Sequence, residues 1–256
     1  MHVALIMDGN GRYGKNKYGS RSLGHKDGAE KLYEICKWYS KLDITHLTVY
    51  AFSTENWKRS KDEVNFLMKL FEDMFHKYIL ESKENNMKIR VIGDKSAFSK
   101  KLQSLIDKAI EMTKDCNGLN LTIALNYGSR DEIMRATKKI IENNISVDNI
   151  NETLFNSYLD TKEIPDVDLM IRTGGEYRLS NFLLWQLSYS ELFFTPTLFP
   201  DLTYNIRLDN LGFALISFLM FGKHRHIRIN NLNHQLLFVT SFQQVKRSIC
   251  ICLNLQ

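Results

Sequence analysis

The chain has 256 residues, 44% hydrophobic and 25% charged, with a formal net charge of +5. That is enough apolar material for one large core, and no Gly/Ser/Pro-rich linker divides it, so a single domain is expected. The mild, scattered positive charge argues against a nucleic-acid groove and for small anionic ligands. The four cysteines form no zinc-type CxxC pair and read as buried thiols of a reducing compartment.

The first predicted strand, His2–Met7, runs straight into Asp8. HVALIM has no basic flank and no small-residue cleavage site, so a cytoplasmic protein is expected. Gly9-Asn10-Gly11-Arg12-Tyr13-Gly14 matches the G-x-G-x-x-G string after a strand. The chain then continues Lys-Asn-Lys-Tyr-Gly-Ser-Arg, polar and glycine-broken. The apolar helix that a dinucleotide fingerprint needs is not expected there. A carboxylate beside a phosphate cradle repels its ligand unless a cation lies between, so Asp8 points to a diphosphate bound with Mg²⁺. Arg12, Arg21 and His25 can surround such a diphosphate, although His25 could instead cap a helix or pack.

Helix Asp27–Leu42 follows, with Ala29, Leu32, Ile35, Cys36 and Tyr39 at helical spacing. A second strand, His46–Phe52, opens into Ser53-Thr54-Glu55-Asn56-Trp57-Lys58-Arg59. Ser53, Asn56 and Arg59 offer a hydroxyl, an amide and a guanidinium there, and Trp57 reads as a loop anchor before a ligand contact. Asp62–Glu84 is a long helix with a Met/Phe-rich face, either ordinary core or the wall of a hydrocarbon channel.

Strand Lys88–Ile92, helix Ser96–Lys114, strand Leu119–Asn126, helix Asp131–Asn143 and strand Val167–Arg172 continue the alternation. It predicts one α/β domain: a mainly parallel sheet flanked by helices, with ligands at the carboxyl ends of the strands. After the last strand, Gly174-Gly175 permits a turn that brings Arg172, Arg178 and Ser180 onto a second diphosphate. Glu191 is the best candidate to join Asp8 at a metal. The apolar run Leu211–Phe221 is too short to span a membrane, which leaves peripheral contact open.

HVALIMDGNGRY with Gly24-His25, YAFSTENWKRS, NYGSRDEI and VDLMIRTGGEYRLSNFLLWQLSYSELFFT, in that order from His2 to about Asp201, resemble the cis-prenyltransferases, most closely the bacterial undecaprenyl diphosphate synthases. The resemblance implies repeated condensation of isopentenyl diphosphate onto an allylic diphosphate such as farnesyl diphosphate, each new double bond being cis. A polyprenyl diphosphate such as undecaprenyl diphosphate is the default product. By the same resemblance Asp8 works with Mg²⁺ and Glu191 completes the metal site. Gly9, Asn10, Gly11, Arg12, Tyr13, Arg21 and His25 hold the allylic substrate. Ser53, Thr54, Glu55, Trp57 and Arg59 form a mobile substrate loop, with Asn56 as proton acceptor. Arg172, Arg178, Leu179 and Ser180 bind isopentenyl diphosphate.

The resemblance also implies a homodimer and a hydrophobic tunnel in each subunit, floored by the sheet and walled by Asp62–Glu84, with Ala51 near its mouth. Peripheral contact with the inner face of the membrane would allow release of a lipid product. Residues 1–201 would be the catalytic domain and 202–256 a divergent, helical tail that is not a separate domain. Tyr13 stands where most members have Trp. The chain opens almost at the first motif, without the family's short leader. Gly222-Lys223-His224-Arg225-His226 is a weak counterpart of an arginine-rich RRFG-like segment. A non-catalytic partner subunit of a prenyltransferase complex is the alternative, against which stands retention of the metal carboxylate and the arginines.

Overall fold

The computed structural model describes residues 1–42 and 44–203, all within one compact unit, Met1–Arg207. The expectations for the tail, Leu211–Phe221 and Gly222–His226 included, lie outside the described residues.

Six strands form one sheet: β1 (His2–Ile6), β2 (His46–Ser53), β3 (Lys88–Ile92), β4 (Asn120–Tyr127), β5 (Leu169–Arg172) and β6 (Glu191–Phe194). Their order is β3-β4-β2-β1-β5-β6, and every pairing is parallel. Central β1 is buried at all five positions, as a strand covered on both faces must be. The chain winds outward from β1 in both directions. The loops after β1 and β5 therefore emerge side by side at the carboxyl edge, where the direction of winding reverses.

The helices are α1 (Asn10–Tyr18), α2 (Arg21–Tyr39), α3 (Lys61–Glu84), α4 (Lys100–Thr113), α5 (Ser129–Glu142) and α6 (Glu152–Tyr158). The Ser60 hydroxyl caps α3 by accepting from the Glu63 N–H, and Ser99 caps α4 in the same way from Leu102. One core, on Phe52, Phe75, Ile79 and Leu125, lies beneath α3 and α4. The other, on Ile6, Tyr127, Met170 and Phe182, lies beside the turn that follows β5.

Three expectations need correction. The stretch after Asp8 is not a glycine-broken loop but α1, and it starts inside the glycine motif. Its sequence is polar because it is held by a crossing rather than by an apolar face. A Cβ on Gly24 would lie 2.0 Å from the Asn10 carbonyl, and one on Gly14 would lie 2.3 Å from that of Ser20. The ground for setting a dinucleotide loop aside therefore does not hold as stated. Helix α2 begins at Arg21, not Asp27, so His25 sits in its second turn rather than at a helix start. Finally, the chain after the second glycine motif adds an edge strand, β6, that periodicity did not reveal because its pattern, two exposed residues and then two half-buried ones, is neither alternating nor fully buried.

His2 makes a testable feature of this core. It is 2% exposed. Its Nδ1–H donates to the Pro165 carbonyl at 2.7 Å, and its Nε2 accepts from the Thr48 hydroxyl at 2.7 Å. Burial lowers its pKa to about 4. The unfolded chain therefore binds more protons between pH about 6.5 and 4, and stability present above that window is lost as pH falls through it. The full loss is about 3 kcal/mol. We expect melting temperature to fall on acidification, and His2→Asn, which cannot charge, to flatten that fall. An identical acid limb in the variant would exclude His2 as its cause.

Candidate active site

Strands β1 and β5 are neighbours with Ile6 opposite Arg172, so the two glycine and arginine motifs, far apart in sequence, meet at one corner. Asp8 is fixed there from all sides. Its Oδ1 accepts from the Gly9 N–H at 2.6 Å, and its Oδ2 accepts from Arg172 Nη2 at 2.9 Å. Its carbonyl accepts from the Thr173 hydroxyl at 2.7 Å and from the Phe199 N–H at 3.1 Å. Arg12 stands 3.5 Å from Oδ1 and donates to the Gly174 carbonyl at 2.5 Å. Gly174 has φ +85, and a Cβ on it would lie 2.6 Å from the Arg12 guanidinium. Only glycine permits so close an approach.

The two arginines of the second motif differ. Arg172 is 4% exposed. Besides Asp8 it donates through Nη1 to the Arg178 carbonyl and, at 2.8 Å, to the Ser180 hydroxyl. It therefore shapes the corner. Arg178, paired with Glu176 at the rim, keeps 62% of its side chain exposed and is the guanidinium open to an incoming anion. Leu179 packs partly against the core beside β1 and β5.

On the other flank, Arg21, His25 and Arg59 are brought together by Glu63, which was not among the expected site residues. Glu63 accepts from Arg59 Nη1 at 2.8 Å, lies 3.3 Å from His25 Nε2 and 3.7 Å from Arg21 Nε. Burial and the nearby Arg59 hold the His25 pKa below its ordinary value, with Glu63 pulling the other way. The spacing Ser60-x-x-Glu63 fits a capping box, and that reading hides the carboxylate's reach across the site. Tyr13 packs edge-on against Tyr18, and its hydroxyl accepts from Lys17 at 2.7 Å.

The segment after β2 forms a short 3₁₀ helix, Thr54–Lys58, closed by a capping box between Ser53 and Asn56. The Asn56 Oδ1, the atom that would accept a proton, takes the Ser53 N–H at 3.1 Å. Trp57 is an anchor as expected: its Nε1–H donates to Asn126 at 2.8 Å, and its ring meets Phe52 and Phe98. Glu55 accepts from the Asn181 side chain at 3.1 Å. Asn126 and Asn181 were also missed. Both sit at positive φ, 48° and 62°, which Asn tolerates best after Gly, and no local sequence pattern marks them.

A largely apolar pocket, about 950 Å³ with the open solvent at its mouth included, lies beside this corner. Met7, Asn10, His25 and Ala51 line it at the carboxyl edge of the sheet, and Met87, Ile89 and Leu121 line it where β3 and β4 begin. Leu121, Ile123 and Leu125 alternate along β4 on this face, so the space runs along the strands for roughly 15 Å. Leu67, Phe71, Met74 and Phe75 of α3 form a wall. The Asn10 Oδ1 is buried at the mouth without a partner.

Glu191 does not join Asp8 in its own chain. It opens β6 exposed, opposite Leu169 and hence level with Val3. Five residues along the strand and two strand spacings put it on the order of 15–20 Å from Asp8. Among the described residues, no three His, Cys, Asp or Glu side chains cluster as a metal site.

The model of the family described as "Putative undecaprenyl diphosphate synthase" matches residues 6–212. The isoprenyl transferase of Wolinella succinogenes is 52% identical over 79% of this chain and 87% of its own length. That of Clostridium perfringens is 49% identical over 78% and 81%. Among solved structures, lavandulyl diphosphate synthase from Lavandula x intermedia, in complex with dimethylallyl diphosphate, superposes with a TM-score of 0.77 at 37% identity, covering 82% of this chain and 93% of that one. A probable undecaprenyl diphosphate synthase from Campylobacter jejuni gives 0.70 at 36%, covering 88% and 96%. With the parallel sheet, the paired cationic motifs and the apolar cavity in place, these matches make the chain a member of the undecaprenyl diphosphate synthase (isoprenyl transferase) family of prenyl-elongating enzymes.

Proposed function

We propose that the protein condenses isopentenyl diphosphate repeatedly onto an allylic diphosphate, with farnesyl diphosphate as primer and cis double bonds in the product. The observation that carries this reading is the apolar cavity opening at the cationic corner that holds Asp8. A growing hydrocarbon enters the cavity while its diphosphate stays among Arg12, Arg21, His25 and the α1 N-terminus. Arg178 and Ser180 receive isopentenyl diphosphate. The allylic C–O bond breaks, the new C–C bond forms, and a proton leaves the five-carbon unit toward the Ser53–Arg59 loop. For Asn56 to take it, the Asn56 Oδ1 must first release the Ser53 N–H.

Mg²⁺ is part of the proposal. The donor at the corner is a hard carboxylate, Asp8. Mg²⁺ commonly binds through one or two carboxylates plus phosphate oxygens and water. Asp8 fits that chemistry, whereas Glu191 of the same chain does not reach it. The ion would offset charge developing on the leaving diphosphate. The reading is a homodimer in which Glu191 serves the partner's site. Exposed β6, with Leu192 46% and nearby Tyr189 fully exposed, supports a contact between copies. No described helix is long and apolar enough to cross a membrane. A cytoplasmic enzyme with peripheral contact at the inner membrane face completes the proposal.

Purified protein with Mg²⁺, farnesyl diphosphate and labelled isopentenyl diphosphate should form butanol-extractable label. Substrate binding without such label would leave the non-catalytic partner subunit as the better reading. The cavity floor predicts product length: Leu121→Ala should lengthen the extracted chain by one or more five-carbon units. An unchanged length distribution would place the floor elsewhere.

A further inference from the structure

Asn181 is held by two elements at once, and its neighbour Ser180 by a third. Its backbone carbonyl accepts from the Ser129 N–H at 2.8 Å, and its Oδ1 accepts from the Arg130 N–H at 3.0 Å. It thereby caps α5, whose own N-cap position, Gly128, has no side chain to do so. Its Nδ2–H donates to Glu55 Oε1 at 3.1 Å, and the preceding Ser180 hydroxyl accepts from Arg172. Ser180 and Asn181 both have positive φ, 49° and 62°. Consecutive non-glycine residues in that region persist only where the surroundings dictate it.

We propose that Asn181 is a positioning residue that couples the Arg178–Ser180 cradle to the Ser53–Arg59 loop. This rests on the prenyl-transfer reading above, in which the cradle takes isopentenyl diphosphate and the loop lies over the reacting carbons. Burial pushes the Glu55 pKa up, but hydrogen bonds from its own backbone, Asn181, Ser53 and Thr54 outweigh it and hold the pKa below its ordinary value. Glu55 is therefore an ionised acceptor, and Asn181 supplies a donor that an aspartate could not. The Asn181 side chain keeps this place only while the turn behind Ser180 is folded onto α5. Formation of the cradle and seating of the loop thus become one event.

The discriminating variant is Asn181→Asp. It tolerates positive φ and keeps the acceptor for the Arg130 N–H, but it sets a carboxylate against Glu55. We expect an unchanged melting temperature and an unchanged dissociation constant for farnesyl diphosphate. The kcat/KM for isopentenyl diphosphate should fall about tenfold, and amide hydrogen exchange at residues 54–58 should rise. Adding Glu55→Gln restores the bridge with donor and acceptor exchanged, so it should cost less in this background than in the wild type. Should Asn181→Asp not fold, Asn181→Gly keeps the backbone conformation and should show the same exchange increase. Unchanged exchange at residues 54–58, or strictly additive substitutions, would overturn the coupling. The exchange readout stands without turnover, so an inactive wild type would refute the prenyl-transfer reading and leave the coupling to be judged separately.

Discussion

Asp8→Asn should reduce turnover by at least about 10³-fold while lowering the melting temperature less than Asp8→Ala does. The two halves of this expectation have separate causes. Asparagine keeps an oxygen for the Arg172 Nη2, which now donates to Asp8 Oδ2 at 2.9 Å. It removes the negative charge that would hold a divalent cation against the diphosphate. Asp8→Ala should lose turnover equally but more stability. Arg172 is 4% exposed, and truncating its partner leaves a buried guanidinium short of an acceptor, at a cost of about 2 kcal/mol. The checks are a Mg²⁺-dependent condensation assay and thermal melts of both variants. Retention of more than about a tenth of wild-type turnover by Asp8→Asn would remove Asp8 from the chemistry.

The second large effect separates a role for Glu191 within a subunit from one between subunits. Glu191→Ala and Asp8→Asn should each be nearly inactive alone. Co-expressed with different tags and purified as the mixed dimer, they should recover about half of wild-type activity. One of the two sites then combines an intact Asp8 with the partner's intact Glu191, and the other lacks both. The expectation follows from β6 running parallel to β5 with Glu191 level with Val3. That alignment puts the carboxylate at the far edge of the sheet from its own Asp8. An inactive mixed dimer would return Glu191 to its own chain, and an active Glu191→Ala homodimer would remove it from the site.

Much of the candidate site is legible in the sequence because its residue types are concentrated in dense local motifs. Asp8 with Gly9–Arg12, Ser53–Arg59 and Arg172–Ser180 each leave the carboxyl end of a strand that apolar composition makes evident. The residues that escaped notice act at a distance. Glu63 matters because it reaches Arg21, His25 and Arg59 on other elements, Asn126 because it meets Trp57, and Asn181 because it bridges Glu55 and α5. Helix α1 escaped because a helix-to-helix crossing through Gly14 and Gly24, not an apolar stripe, stabilises it.

By itself the sequence determined the alternation of buried strands and amphipathic helices, and with it a parallel sheet whose carboxyl edge carries the ligand motifs. Both follow from period and composition, which are local properties of the chain. Only the tertiary structure decided that Arg172 is committed to Asp8 while Arg178 stays open, that Glu191 lies far from Asp8 in its own chain, and that the Met/Phe-rich face of α3 walls an apolar cavity as well as packing in the core. Each of these depends on strand order and register. A shift of one strand position would change which side chains share an edge without altering any local pattern.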